Sequence, residues 1–439
     1  MTEGQTRTPG FRELLAVFGR IGLVNFGGPA GQIALMHRVL VEEKRWIDED
    51  AYLRALNFCT LLPGPEAQQL AAYVGWKLHG VRGGLAAGLL FVLPGSLVVL
   101  ALAALYATAA GLGPVQAAFL GVKAAVLAIV VEALIRVGRR ALNAPLKLAL
   151  AAGAFLCLFA LHLPFPAVVL GAGVIGFLVA RVRPGALRLK PVPAGGPPLE
   201  SKRALAWKTL LTVLAWAAIW AAPIALCALL LGPDHVLTRV GLFFARLAAV
   251  SFGGAYSVLA YMAQEAVAAQ HWLKPGEMVD GLGLAETTPG PLILVTEFVG
   301  FLAAFRAPAP FAPALAGVLG AAMTLWATFA PCFLWIFAGA PWIERLERAR
   351  SLQGALAAIT AAVVGVIANL TVWFALHVLF ARFVQGPLGS LPDPASLDWR
   401  ALGLALAAAV LLFLLKAGVM RTLGVSLLLG LGLHALGWA

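Results

Sequence analysis

An all-α polytopic membrane protein, built as two homologous halves in an inverted-topology repeat with Gly/Pro-broken, re-entrant helices in each half, is the fold class this sequence predicts. Three observations predict it. With 61% hydrophobic and 12% charged residues and a mean hydropathy of +0.91, the chain has too few polar groups to build a water-facing surface. A motif set recurs at one displacement: Asn25-Phe26-Gly27-Gly28, Trp46 and Pro63-Gly64-Pro65 return as Ser251-Phe252-Gly253-Gly254, Trp272 and Pro289-Gly290-Pro291, each 226 positions on (251−25, 272−46, 289−63). One additional apolar span, 204–231, separates the copies and turns the second upside down.

Taken in order, the first half (1–182) opens with two apolar segments broken by Gly or Pro, 11–36 and 51–79, followed by unbroken runs at 83–106, 114–137, 144–162 and 165–182. Each unbroken run suits a hydrocarbon core of about 30 Å. Residues 183–203 are rich in Pro, Gly and basic residues and read as a cytoplasmic linker. The second half (204–439) adds the span 204–231, then repeats the pattern: broken segments at 238–262 and 277–302, unbroken runs at 311–340, 352–381, 399–416 and 419–438. Beyond the breaks the match continues at a displacement of 237, with Pro94 against Pro331 and Ala124-Ala125-Val126 against Ala361-Ala362-Val363. A net insertion of 11 residues (237−226) therefore falls around 303–320.

The formal charge of +12 invites a nucleic-acid reading. The basic residues sit in short loops, however, where the positive-inside bias explains them without such a partner. Arg136, Arg139, Arg140 and Lys147, then Arg345, Arg348 and Arg350, then Lys416 and Arg421 should share the linker's side; the loops 107–113, 162–164 and 232–238 lack Lys and Arg and should face outward. If 11–36 and 51–79 crossed the bilayer, Arg38, Lys44 and Arg45 between them would lie outside, so hairpins are expected. Trp46 and Trp272 read as interfacial anchors. Cys59, Cys157, Cys227 and Cys332 have no paired spacing, so no disulfide framework, metal site or cofactor is expected.

A helix cannot run through Pro-Gly-Pro, because proline lacks the donor and clashes with the preceding turn. Each motif ends one half-helix and starts another, with Pro65, Pro291 and Pro29 suited to the first helical turn. Free N–H groups and a positive helix end deep in the bilayer form a site for an anion, and non-helical backbone at that depth belongs in a wet or protein-lined cavity. The candidate binding residues are thus Asn25, Gly27, Gly28, Pro29, Pro63, Gly64 and Pro65 with Ser251, Gly253, Gly254, Pro289, Gly290 and Pro291. Arg20 and Arg246 also lie 226 apart and either neutralise the anion or snorkel to an interface. Lys123 is a lone cation near the middle of its run; Thr360 holds the matching position in the second half. A charge in hydrocarbon costs at least about 2.5–3.5 kcal/mol, which makes Glu66, Glu286 and Glu297 candidates to carry a coupling proton.

The segments Asn25-Phe-Gly-Gly-Pro-Ala-Gly-Gln32, Leu62-Pro-Gly-Pro-Glu-Ala-Gln-Gln-Leu70, Gly75, Phe91-Val-Leu-Pro-Gly95, Ser251-Phe-Gly-Gly-Ala-Tyr256, Ala285-Glu-Thr-Thr-Pro-Gly-Pro-Leu292 and Phe298-Val-Gly300 together resemble the chromate ion transporter family in its long two-domain form. The resemblance covers both halves. It implies a multi-pass protein of the cytoplasmic (inner) membrane that exports chromate and confers chromate resistance, with sulfate as the related dianion. Outward movement of a dianion through an inside-negative potential is favourable by roughly 4.6 kcal/mol per 100 mV, and no phosphate-cradling Gly-rich loop ending in Lys-Ser/Thr suggests ATP drive. The partners expected are a chromate-like oxyanion and the lipid bilayer, with a homodimer left open and no nucleic acid. Two other readings stand beside this non-enzymatic one: an intramembrane enzyme acting on a phosphorylated lipid, and an anion channel.

Overall fold

Proline and glycine punctuate a chain that is otherwise helical. In the computed structural model, which describes residues 7–26, 28–189, 202–252, 255–343, 349–386 and 389–437, the first half comprises α1 (Phe11–Leu23), α2 (Gly28–His37), α3 (Glu49–Cys59), α4 (Glu66–Ala109), α5 (Gly113–Ala141), α6 (Pro145–Phe159) and α7 (Phe165–Val182). After α8 (Lys202–Leu231), the second half comprises α9 (Val236–Val250), α10 (Ala255–Ala263), α11 (Pro275–Thr287), α12 (Val295–Arg306), α13 (Pro313–Gly339), α14 (Arg350–Leu379), α15 (Trp399–Ala409) and α16 (Val419–Ala435). Six of these helices are long and apolar enough to cross a membrane. Gly27, Gly253, Gly254, Arg345, Arg348 and linker residues 190–201 lie outside the described residues. A short antiparallel hairpin, β1 (Phe383–Gly386) with β2 (Gly389–Pro392), joins α14 to α15. It is an addition to the expected all-helical pattern, placed where Gly386, Gly389 and Pro392 interrupt the apolar periodicity.

α4 is not one rod. At His79 and Gly80 the backbone leaves helical geometry, and the chain folds back so that Gly75 and Gly83 press backbone to backbone, which only residues without a side chain allow. The second half makes the same crossing with α12 and α13, through Gly300 and Gly320, after the loop that holds much of the expected insertion. The outer leg of α4, 81–109, is about 43 Å long at 1.5 Å per residue. It runs antiparallel to its counterpart α13, for Gly84 meets Phe337 and Gly88 meets Phe333.

Both Phe-Gly-Gly segments close on themselves. Arg7 N–H donates to the Arg45 carbonyl at 3.0 Å and Lys44 pairs with Glu13 at 3.4 Å, so the start of α1 and the exit from α2 lie side by side. In the second half Arg239 donates to Gln270, at the positions equivalent to Glu13 and Lys44. The likeness extends to π-helical turns at Arg38–Glu43 and Gln264–Ala269 and to positive φ of 54° at both Arg45 and His271. These closures bury Trp46 and Trp272 to 4% and 7% exposure. The tryptophans are therefore core residues beside these closures, a correction to their expected role as interfacial anchors.

The halves also trade helices. The α6–α7 pair packs on α14, where Gly176 meets Gly354 and Gly365 meets Ala151; the α15–α16 pair packs on α5, where Gly121 meets Ser426 and Gly430 meets Ala117. By contrast α8 is covered on little of its surface, and its leucines suit lipid contact.

Candidate functional site

Two breaks cross at the centre of the molecule. Gly64 N–H donates to the Ser251 carbonyl at 2.9 Å, and Gly290 N–H donates to the Asn25 carbonyl at 2.8 Å. Each Pro-Gly-Pro of one half is thus tied to the Phe-Gly-Gly segment of the other, by two bonds related through the 226-residue displacement. Both glycines are left-handed, with φ of 113° and 105°, a conformation that side-chain-bearing residues adopt at a cost. The crossing lies midway along the outer leg: Gly95, the middle residue of 81–109, abuts Pro289 and Gly290 so closely that an added methyl would overlap the Pro289 carbonyl oxygen. Cys332 on α13, the counterpart of Gly95 (95+237), abuts Gly64.

Glutamine side chains brace the crossing. Gln32 Nε2 donates to the Gly290 carbonyl at 2.6 Å, and Gln69 Nε2 donates to the Pro63 carbonyl at 2.7 Å. α4 begins just past Pro65; its first helical bond runs from Gln69 N–H to the Pro65 carbonyl, so the N–H groups of Glu66, Ala67 and Gln68 precede the ladder. α2, α10 and α12 likewise start beside a break. Asn25 is wholly buried, yet neither end of its side-chain amide has a partner, and the same holds for Gln68 and for the carbonyl oxygens of Gln32 and Gln69. Unpaired buried amides are costly. Asn25 and Gln32 flank the start of α2, and Gln68 and Gln69 lie in the first turn of α4.

The remaining sequence candidates separate into three groups. Ser251 is buried, and its hydroxyl donates to the Ala248 carbonyl. Pro29, Pro63, Pro65, Pro289 and Pro291 flank the crossing, with Gly28 opening α2. Glu297 is fully buried on α12, and its Oε1 accepts from Ser96 Oγ at 3.1 Å, joining α12 to the outer leg one residue past Gly95. Glu66 is the first residue of α4, and Glu286 is buried near the end of α11. Arg20 and Arg246 are both exposed. Lys123 is already engaged, 3.2 Å from the Asp280 carboxylate, which also accepts from Tyr106 Oη at 2.7 Å. Asp280, Tyr106, Gln32 and Ser96 were not singled out from sequence. A lone lysine in an apolar run demands a buried carboxylate, and that signal pointed to Asp280 without naming it.

A second polar region opens on the side of the linker. A cavity of about 660 Å³ is lined by Arg54, Arg140, Lys147 and Arg188 together with Asn57, Thr60 and Thr360. Among the described residues no carboxylate lines it.

Comparison with known proteins agrees with this architecture. The chromate transporter family model matches residues 12–177 and 238–433, which span both sets of breaks. The chain is 32% identical over 384 residues to a chromate transport protein of Pseudomonas aeruginosa, covering 84% of this chain and 82% of that one. It is 30% identical over 366 residues to a chromate transport protein of Cupriavidus metallidurans, covering 82% of each. An uncharacterized transporter of Methanocaldococcus jannaschii is 25% identical over 375 residues, covering 84% of this chain and 86% of that one. No solved structure matches the chain.

Proposed function

Because the chain belongs to the chromate transporter family, we propose that it is a secondary transporter that exports chromate, with sulfate as the related dianion, across the cytoplasmic membrane and so confers chromate resistance. The observation that carries this reading is the crossed pair Gly64–Ser251 and Gly290–Asn25, set midway along the outer leg beside buried unpaired amides. A tetrahedral anion bound there takes hydrogen bonds from half-helix N–H groups and the Asn25 amide rather than full neutralisation by arginine, so it is held and then released.

The antiparallel pairing of the outer leg of α4 with α13 supports an inverted repeat. The closures Arg7–Arg45 and Arg239–Gln270 support re-entrant hairpins that enter from opposite faces and meet at the centre. Such a site is served from either side when one half rocks against the other. Glu297, which bridges the halves through Ser96, is the foremost candidate to carry a coupling proton; Glu66 and Glu286 are the others.

Inside-out vesicles bearing the protein, supplied externally with radiolabelled chromate under an imposed potential, test the proposal. Uptake that depends on the potential, is competed by sulfate and is lost on Gly290→Ala is expected. Uptake no greater than in empty vesicles rejects chromate export. Single-channel currents would replace a transport cycle with a channel.

A further inference from the structure

We propose that the basic cavity on the linker side is a loading site for a tetrahedral divalent oxyanion, a second binding position upstream of the crossed breaks. This inference deepens the transport reading and rests on it. The four cations come from separate elements: Arg54 from α3, Arg140 from the end of α5, Lys147 from α6 and Arg188 from just beyond α7. None of them forms an ion pair with a carboxylate among the described residues. The Glu66 carboxylate couples to Arg140 from beyond ion-pair distance, yet four cations around one hollow still repel each other, and a dianion is the counter-charge that relieves the repulsion.

A solvated basic face of the kind the positive-inside bias produces leaves its cations extended into water. Here two are fixed. Lys147 is only 7% exposed, with its ammonium donating to Asn143 Oδ1 at 2.9 Å, and Arg188 donates to the Asn143 carbonyl at 2.9 Å. One residue thus holds both cations at the wall of the cavity. The volume of about 660 Å³ corresponds to roughly 20 waters, room for an anion that keeps part of its hydration shell. Its wall includes Asn57, Thr60 and Leu61, the last residues before the Leu62-Pro63-Gly64-Pro65 break, so the cavity adjoins the segment that leads into the crossing.

The internal repeat supplies an independent argument. Arg54 and Thr360, both in the cavity wall, are the counterparts of Asp280 (54+226) and Lys123 (123+237). At the symmetry-related place, again with one residue from each half, those two positions are locked together by the 3.2 Å ion pair and the Tyr106 hydroxyl. On the linker side the carboxylate has become arginine and the lysine threonine. The lock is thereby replaced by an open, wholly cationic mouth. The same pair of positions is shut at one end of the molecule and accessible at the other.

Equilibrium binding of radiolabelled sulfate to the purified full chain in phosphatidylcholine nanodiscs, with chromate as competitor, tests this. The double variant Lys147→Gln/Arg188→Gln should weaken sulfate binding at least tenfold and raise the KM for chromate flux in inside-out vesicles by a similar factor, with kcat changed less than threefold; Lys147→Arg should restore most of the affinity. Wild-type constants in a well-folded double variant would overturn the loading site. If the double variant fails to fold, Arg54→Gln, at an exposed position, should still raise Kd and KM together about threefold, and unchanged values there would overturn the proposal equally. Sulfate binding that depends on Lys147, found in a protein that moves neither anion, would support the site while rejecting the export reading. Retention of an anionic lipid by wild type but not by the double variant in native mass spectrometry, with no sulfate binding, would assign the cavity to a lipid headgroup and overturn the proposal.

Discussion

Gly64 gives its backbone N–H to the carbonyl of Ser251 at 2.9 Å, and the mirror of that bond, from Gly290 to Asn25, is 2.8 Å long. The centre of the molecule is therefore backbone meeting backbone across the two halves. Side chains only brace it.

Gly64→Ala and Gly290→Ala should each reduce chromate flux at least tenfold. Both glycines have positive φ, which costs a side-chain-bearing residue about 1–2 kcal/mol. The new methyl also meets Gln69 and Cys332 at one site and Leu294 and Gly95 at the other. Initial rates in inside-out vesicles, at matched amounts of monodisperse protein, check this. Wild-type flux in either variant would mean that the crossing is only scaffold.

Asn25→Leu separates a binding role from a structural one. The Asn25 amide is buried with both ends unpaired, so an apolar residue of similar size relieves a penalty of about 1–3 kcal/mol. The variant should melt no lower than wild type and yet lose most sulfate-competable chromate flux. A large fall in melting temperature would show that the amide has a structural partner instead.

Breaking the Lys123–Asp280 pair should be more damaging than removing it. Lys123→Met alone leaves the buried Asp280 carboxylate uncompensated, at a cost of about 3–5 kcal/mol, and Asp280→Leu leaves the half-buried Lys123 without its partner at a smaller cost. The double variant should recover much of the lost thermal stability, and a double-mutant cycle on melting in detergent measures the coupling. Additive losses would argue against the pair.

Gly95→Ala should destabilise the fold and reduce flux, since the methyl overlaps the Pro289 carbonyl. Cys332→Ala, at the equivalent position, should be nearly silent because it only removes a sulfur. Thermal melts of the two variants side by side decide the matter; equal effects would contradict the backbone approach at Gly95.

The breaks were legible in the sequence because Pro and Gly act locally: a helix must stop at Pro63-Gly64-Pro65 whatever surrounds it. The repeat was legible too, since Asn25 and Ser251 stand in otherwise identical frames. What the repeat concealed was its divergence. Asp280 aligns with Arg54, and a search for identities passes over a reversal of charge. Trp46 and Trp272 were misplaced because composition cannot distinguish a tryptophan at an interface from one buried beside a hairpin closure. The cations of the cavity come from four segments between residues 54 and 188; the positive-inside bias accounts for Arg140, Lys147 and Arg188 separately, Arg54 was not singled out, and only folding brings them around one space.

The crossed bonds also set an order on the making of the protein. Ser251 is added 187 residues after Gly64 (251−64) and Gly290 265 residues after Asn25 (290−25). At about 5–20 residues per second, the ribosome leaves the first pair of break atoms without their partners for roughly 10–50 s. A nascent first half already inserted in the bilayer must wait with an unmatched carbonyl and N–H at its heart. The centre of the molecule is completed only when synthesis of the second half brings residues 251 and 290 to it.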